Sequence, residues 1–422
     1  MIGNILHTFG NKLLMAAISV VLLLLYTNHL GAEGLGSIGL IVLNITLVQL
    51  ICNLSNGSIV YFSQKLNLGK LVMVCYLWTG LSIGLFYGIN QFYPLADERY
   101  MNDIYRLSVL AALLSIYQYV LLGQERIKDV NRLTLLQSML TLAGITYFFL
   151  IEGRNEVSAF IDTLYAAYLI CLVLGWIFTR KYIYTVVDFK GPSFWQTFRE
   201  AFHYGFFIQT ANAFQMLNYR LSYFILDAFT GRAALGVYTA GVRISEGLIL
   251  PGRSIATVQY ARISNKDHDP YAQRITVLLT KLSMGITLVG VLILLLLPST
   301  LYNALFGEAF SDVKAVIVIL SMGILMQSAE IIISHYFSGT GRQQINSLSA
   351  MIGLFITVVA GFALIPLYGA KGAALTALLS YTGMFAFLFV QMIRKSAVAP
   401  LHFLPQKGDV RLLKRLWRKF LK

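Results

Sequence analysis

Four basic residues stand inside long apolar stretches of this 422-residue chain: Arg220, Arg243, Arg253 and Lys281. Lys12 lies just inside the first such stretch, Glu246 and Glu330 lie deep in two others, and Asp162 and Asp227 sit near the ends of theirs. An ionised side chain inside a bilayer costs about 2.5 to 3.5 kcal/mol on insertion scales, so such residues face a cavity or a partner. The interior balance is positive, which suits an anion. Arg220 has no acid three or four residues away and Asp227 is two turns distant, so its guanidinium is expected to meet a water-filled cavity and an anionic ligand. Arg243 and Glu246 are spaced i,i+3, and either neutralise each other on one helix or act in the same cavity. Arg253 and Lys281 lie within a few turns of the expected cytoplasmic face, where snorkelling is the competing role. Glu330 shares a helical face with Gln327 and Ser334, and His335 follows; it is either a proton carrier or a hydrogen-bonded structural acid.

Neutral polar residues cluster as well. Gln209, Asn212, Gln215 and Asn218 recur every three positions, and Gln49, Asn53 and Asn56 share a face of another apolar segment. As a set they would line a hydrophilic path suited to sugars; singly, each is as well explained as an interhelical hydrogen bond worth about 0.6 to 2 kcal/mol. Tyr219, Tyr223 and Tyr238 add aromatic faces.

These residues need helices in a membrane to position them. The chain is 57% hydrophobic and 12% charged, with a mean hydropathy of +0.69. A soluble domain is about 25% charged, so an ordinary cytoplasmic protein is excluded. A span takes about 20 apolar residues. Apolar run length predicts spans over 9–29, 36–62, 71–92, 104–123, 133–151 and 157–179, then 202–228, 234–261, 275–297, 313–338, 345–366 and 372–393. The first apolar run is long enough to span and has no small-residue cleavage site, so it is expected to stay as a helix. Pro251-Gly252 falls in the middle of a span, where it would kink or break the helix. Cys52, Cys75 and Cys171 all fall in apolar segments and read as core residues.

Positive residues are retained on the cytoplasmic side. One alternating set of connections, with Lys12 and the tail, holds 23 Lys and Arg; the other holds six, together with Glu33, Asp97, Glu98, Asp103, Glu152, Glu156 and Glu308. Both termini are therefore expected inside, and the net charge of +14 reports topology and anionic headgroups, not nucleic acid. The fold class expected is an all-α polytopic membrane protein of about 12 transmembrane helices, in two six-helix halves around a central cavity. Residues 1–185 form the N-terminal half, 186–398 the C-terminal half and 399–422 a basic amphipathic cytoplasmic tail. Gly31-Ala-Glu-Gly-Leu-Gly36 recurs as Gly231-Arg-Ala-Ala-Leu-Gly236, 200 residues later. With six spans per half, the repeats run parallel, related by an axis along the membrane normal. In the tail, Leu412, Leu413, Leu416, Phe420 and Leu421 recur at helical spacing among Lys and Arg, a membrane-surface pattern.

The sequence has no Walker-A loop, no HExxH, no nucleophile elbow and no dinucleotide fingerprint, and its outward connections are short. No cofactor, metal site or enzymatic step is expected. The chain resembles the polysaccharide flippases of the multidrug/oligosaccharidyl-lipid/polysaccharide exporter superfamily, which move O-antigen or capsule repeat units. The resemblance rests on LGAEGLGSIGL, on YRLSYFILDAFTGRAALGVYTAGVRISEGL, on LFGEAFSDVKAVIVIL and on ALIPLYGAKGAALTALLS. It implies a bacterial inner-membrane protein that carries undecaprenyl-diphosphate-linked oligosaccharide from the cytoplasmic to the periplasmic leaflet by alternating access, driven by an ion gradient. It also implies a cationic cavity formed by Arg220, Arg243, Lys12, Arg253 and Lys281, with Asn212, Gln215 and Asn53 meeting the sugar. Glu246 and Glu330 are the implied ion-coupling candidates. Membrane lipids and the polysaccharide polymerase machinery are its expected partners. The competing readings are a drug or metabolite antiporter of the same superfamily, which needs an acidic cavity, and a membrane enzyme of polysaccharide assembly, which would also bind a phosphate lipid. A peptidoglycan-precursor flippase, usually two spans longer, and a scaffold with no transport role stand behind them.

Overall fold

The computed structural model describes residues 2–56, 58–63, 67–92, 98–184, 193–264, 269–396 and 398–404. The expected tail helix, from 405 onward, lies outside the described residues. Thirteen α-helices account for nearly all of the described chain: α1 (Ile2–Asn56), α2 (Ser58–Phe62), α3 (Leu68–Phe92), α4 (Met101–Gly123), α5 (Ile127–Thr146), α6 (Val157–Tyr184), α7 (Phe194–Thr230), α8 (Arg232–Gly247), α9 (Leu250–Ser264), α10 (Asp269–Leu296), α11 (Ser299–Phe306), α12 (Val313–Gly339) and α13 (Gln343–Lys395). A π-helical stretch, Tyr147–Ile151, follows α5.

This is a multi-pass membrane protein. Eight described helices are long and apolar enough to cross a bilayer, nine if α8 and α9, bent by 45° at their junction, count as one broken span. The surface is inverted relative to a soluble protein. On α10, Thr276, Thr280, Ser283 and Thr287 are buried, while Ile286, Val289, Ile293 and Leu296 are exposed. On α3, Met73, Leu77, Leu81 and Leu85 form an exposed stripe at four-residue spacing. Lipid is as apolar as leucine, so helix association here rests on packing and interhelical hydrogen bonds. The three cysteines are free and buried.

Two helices exceed any bilayer. The 51 residues from Gly10 to Val60 would reach about 75 Å if straight, against a hydrocarbon core of about 30 Å. Gly31 breaks the run at φ +66, ψ −168, and Gly369 breaks α13 at φ +55, ψ −130. The broken span between α8 and α9 answers the expectation from Pro251-Gly252. The break falls just before the proline, which occupies the first turn of α9, where its missing N–H does no harm.

Six of the seven described residues with positive φ, all but Gly307, fall in pairs. Gly31 and Gly231 are 200 apart, and Glu125 with Gly341 and Gly153 with Gly369 are each 216 apart. The second pair belongs to one motif used twice. α4 ends at Gly123 and α12 at Gly339; α5 begins at Ile127 and α13 at Gln343. The Arg126 N–H donates to the Leu121 carbonyl at 2.8 Å, and the Arg342 N–H to the Phe337 carbonyl at 2.8 Å. This is the six-to-one bond of a left-handed helix cap.

The chain divides into two compact units. The first comprises Met1–Met216, Gly231–Thr239 and Leu305–Ala309; the second comprises Leu217–Thr230, Ala240–Ala304 and Phe310–Lys422. The start of α7 belongs to the first unit. Ser193 and Gln196 form a reciprocal capping box, at 3.1 and 3.2 Å. The turns that follow pack Phe198 and Ala201 into the core of the first unit beside Ile59, Leu71 and Cys75, and Phe202 lies edge-on to Trp78.

Within the first unit the two glycine motifs meet each other. A Cβ on Gly36 would overlap the carbonyl oxygen of Arg232, and one on Gly236 would overlap the carbonyl oxygen of Ala32. The contact is reciprocal at the same 200-residue offset, and only glycine allows it. In the second unit, Ile263, Ile333, Tyr336, Phe337, Leu388 and Met392 form one apolar core, and Ile249, Ala256, Ile324 and Ile332 another.

Candidate functional site

The charged cluster lies in the second unit, on α7 and α8. α7 carries Arg220, Tyr223 and Tyr219; Gly231, at φ +83, turns the chain, and α8 brings Glu246 to Arg220. Arg220 Nη2 stands 3.5 Å from Glu246 Oε1, with the side chains 35% and 38% exposed. Arg220 Nη1 donates to the Tyr223 hydroxyl at 2.7 Å, and the guanidinium sits 5.1 Å from the centre of that ring. Tyr223 is buried, and Tyr219 stands edge-on to Tyr381 of α13 at 5.7 Å.

The expectation of an unpaired Arg220 is therefore corrected: its counter-ion comes from the next helix. Sequence spacing shows only same-helix neighbours, and Glu246 is 26 residues away. Arg243, the i,i+3 partner expected for Glu246, is half-buried and has no hydrogen bond or ion pair among the described residues. Two guanidiniums and one carboxylate leave the cluster net positive. Glu246 and Gly247 are the last residues of α8, directly before the bend into α9.

A second grouping in this unit joins α9, α10 and α12. Glu330 is buried, and no described residue hydrogen-bonds its carboxylate; the guanidinium of Arg253, itself exposed, acts on it electrostatically. Around the bend, the Ser283 hydroxyl donates to the Ser328 carbonyl at 3.1 Å, and a Cβ on Gly252 would press on that hydroxyl. Lys281 is half-buried on α10.

The remaining expected residues fall in the first unit. Lys12 is exposed on α1 and Gln215 is exposed on α7; Asn212 is on α7 with its side chain outside the described residues. Asn53 is bound into structure: its carbonyl oxygen accepts from Asn56 Nδ2 at 2.9 Å and from the Ser115 hydroxyl at 2.8 Å, tying α1 to α4. Thus the structure pairs Arg220 with Glu246 and ties Asn53 into helix packing.

Sequence reasoning missed two positions. Asn218 does not line a path. It is 4% exposed, and its carbonyl oxygen accepts from Thr357 at 2.6 Å and Ser380 at 2.8 Å, so it fastens α7 to both arms of α13. The three-residue amide row drew attention to it but could not separate a lining amide from a fastening one. Asp129, buried at the α4–α5 connection, is gripped by Arg126 and by Arg132 at 3.1 Å. Arg126 also donates to the Tyr182 hydroxyl at 3.0 Å, and these two partners, Tyr182 foremost, raise its pKa further. Among the described residues, no three His, Cys, Asp or Glu side chains converge as a metal site would require.

No protein-family model matches the chain. It is 27% identical over 186 residues to the capsular polysaccharide biosynthesis protein CapF of Staphylococcus aureus, covering 43% of this chain and 47% of that one. It is 21% identical over 265 residues to the probable low-salt glycan biosynthesis flippase Agl15 of Haloferax volcanii, covering 62% and 54%. The chain thus spans about half the length of the curated relatives it matches. The fold is shared far more widely. The lipid II flippase MurJ in an inward closed conformation superposes with a TM-score of 0.74 at 14% identity, over 100% of this chain and 93% of that one. An inward-facing multidrug resistance MATE transporter of the MOP superfamily superposes with a TM-score of 0.68 at 13% identity, over 90% and 94%. The fold is that of the MOP-superfamily transporters, the superfamily whose resemblance the sequence carries.

Proposed function

We propose that this MOP-fold chain is a flippase for polyprenyl-diphosphate-linked oligosaccharides, moving them from the cytoplasmic to the periplasmic leaflet of a bacterial inner membrane without altering their bonds. The observation that carries the reading is the Arg220, Arg243 and Glu246 cluster. It is net positive, partly exposed and held by a buried tyrosine, and it stands within a membrane fold. A diphosphate is an anion that arginine binds bidentately. A MOP-fold exporter of cationic drugs would need the opposite sign. CapF and Agl15, similar to this chain in sequence, are named for polysaccharide and glycan biosynthesis, and MurJ, similar in fold, is named for a lipid-linked precursor.

Twelve spans in two parallel six-helix repeats are the reading we propose for these helices. α1 and α13 each count as two, α8 with α9 as one, and α7, 37 residues long and rich in amides, completes the set. The paired left-handed turns and the duplicated α4–α5 and α12–α13 caps support the repeat. Both termini then lie on the cytoplasmic side, as the distribution of Lys and Arg requires. Glu330, buried and hydrogen-bonded by no described residue, is the carboxylate best suited to couple transport to an ion gradient.

The test is the fate of lipid-linked repeat units in cells lacking the protein, read with an impermeant sugar-modifying reagent. Complete units accumulating on the cytoplasmic leaflet are expected. Incomplete units, or complete units already facing the periplasm, would move the protein to assembly or polymerisation.

A further inference from the structure

We propose that Glu246 is an exchangeable counter-ion: the substrate's diphosphate displaces it from Arg220, and the released carboxylate moves to Arg243 on its own helix. This rests on the anionic-substrate reading above and assigns Glu246 a role other than ion coupling.

Three observations carry it. First, the Arg220–Glu246 contact is loose. At 3.5 Å it is an ion contact at the edge of hydrogen-bond range, and both side chains are more than a third exposed. Second, Arg220 is oriented independently of Glu246. The Tyr223 hydroxyl at 2.7 Å and the ring beneath the guanidinium hold it from its own helix, so removal of the carboxylate leaves the cation in place. Third, a destination exists. Arg243 lies one turn before Glu246, at a spacing where side chains on one helix meet, and no described residue pairs with it. Glu246 therefore masks the better-positioned of two arginines, and no charge is stranded when it leaves.

The exchange also has a mechanical consequence. Glu246 is on the final turn of α8, one residue before Gly247 and the 45° bend. Moving its carboxylate from α7 to Arg243 removes the side-chain tie between α7 and the end of α8 next to the break. Substrate arrival and freedom of the α8–α9 junction are then linked through one carboxylate.

The experiment uses the full-length protein in nanodiscs, with farnesyl diphosphate as probe and inorganic pyrophosphate as the headgroup alone, and Kd is read by native mass spectrometry. Wild type is expected to bind farnesyl diphosphate. Glu246→Gln removes the competitor and is expected to tighten binding about three- to fivefold, the range a partly exposed ion pair commands. Arg220→Ala should abolish binding with either residue at 246. Arg243→Gln should enlarge the gain from Glu246→Gln, because the displaced carboxylate then has no second cation. A damaged fold does not raise affinity, so tightening separates this role from a structural one. Glu246→Asn serves if the glutamine variant fails to assemble. Weaker or unchanged binding in Glu246→Gln overturns the exchange, and an unchanged gain in the Arg243→Gln background overturns the hand-over. No binding by wild type overturns the anionic-substrate reading itself, and a preference for pyrophosphate over farnesyl diphosphate would mark a free phosphate ligand instead of a lipid.

Discussion

The two ends of α8 hold their neighbours in opposite ways. At its start, Gly236 meets Ala32 while Gly36 meets Arg232, backbone against backbone, with no room for a methyl group on either side. At its end, Glu246 meets Arg220 across 3.5 Å, through two flexible side chains open to solvent. The first contact has one geometry and no alternative; the second has a competitor on its own helix.

The contrast fails if the tight end tolerates bulk. Gly236→Val forces a side chain into the Ala32 backbone, and a loss of about 3 kcal/mol or outright failure to assemble is expected, measured as monodisperse yield and thermal midpoint in detergent. Gly80→Ala, where a Cβ meets nothing within 4 Å, should show no loss. At the loose end the expected effect is on function. Arg220→Ala should abolish surface polysaccharide while protein level and membrane insertion stay normal; normal display in that variant would remove Arg220 from the site. Between these extremes lies Asn218. Asn218→Ala frees the Thr357 hydroxyl and one bond of Ser380, and about 2 kcal/mol of thermal stability should be lost, with export falling only as far as protein level does. The smallest effect belongs to the duplicated cap. Glu125 adopts φ +57 where its counterpart is Gly341, so Glu125→Gly should stabilise by about 0.5 to 1 kcal/mol, read as a small rise in thermal midpoint.

The same contrast explains what was legible in the sequence. Apolar run length marked out the long apolar helices, eight or nine of which are long and apolar enough to cross, because a bilayer enforces length on every helix that crosses it. The glycine echo was legible because close backbone approach tolerates no other residue, and Pro251-Gly252 because a proline marks a helix start. α7 was the hardest helix to characterise. Its amides read equally as a lining and as fasteners, and only the positions of Thr357 and Ser380 on α13 identify Asn218 as a fastener. The Arg220–Glu246 pair was misread for a related reason. An i,i+3 rule proposes Arg243 as partner, whereas the turn at Gly231 brings the acid to a cation on another helix. Side chains with a single possible environment announce themselves in sequence; those with two do not.

In the proposed function, an anionic lipid-linked glycan crosses the membrane through a site that depends on Arg220. The most direct measurement reconstitutes purified wild type and Arg220→Ala into sealed vesicles carrying a polyprenyl-diphosphate-linked oligosaccharide, and follows how much lipid becomes accessible to an impermeant glycosidase. The expected result is rapid exposure of the inner-leaflet pool with wild type, none above protein-free vesicles with Arg220→Ala, and an intact lipid recovered from both. Equal exposure by the two proteins, or a chemically altered lipid, would contradict it.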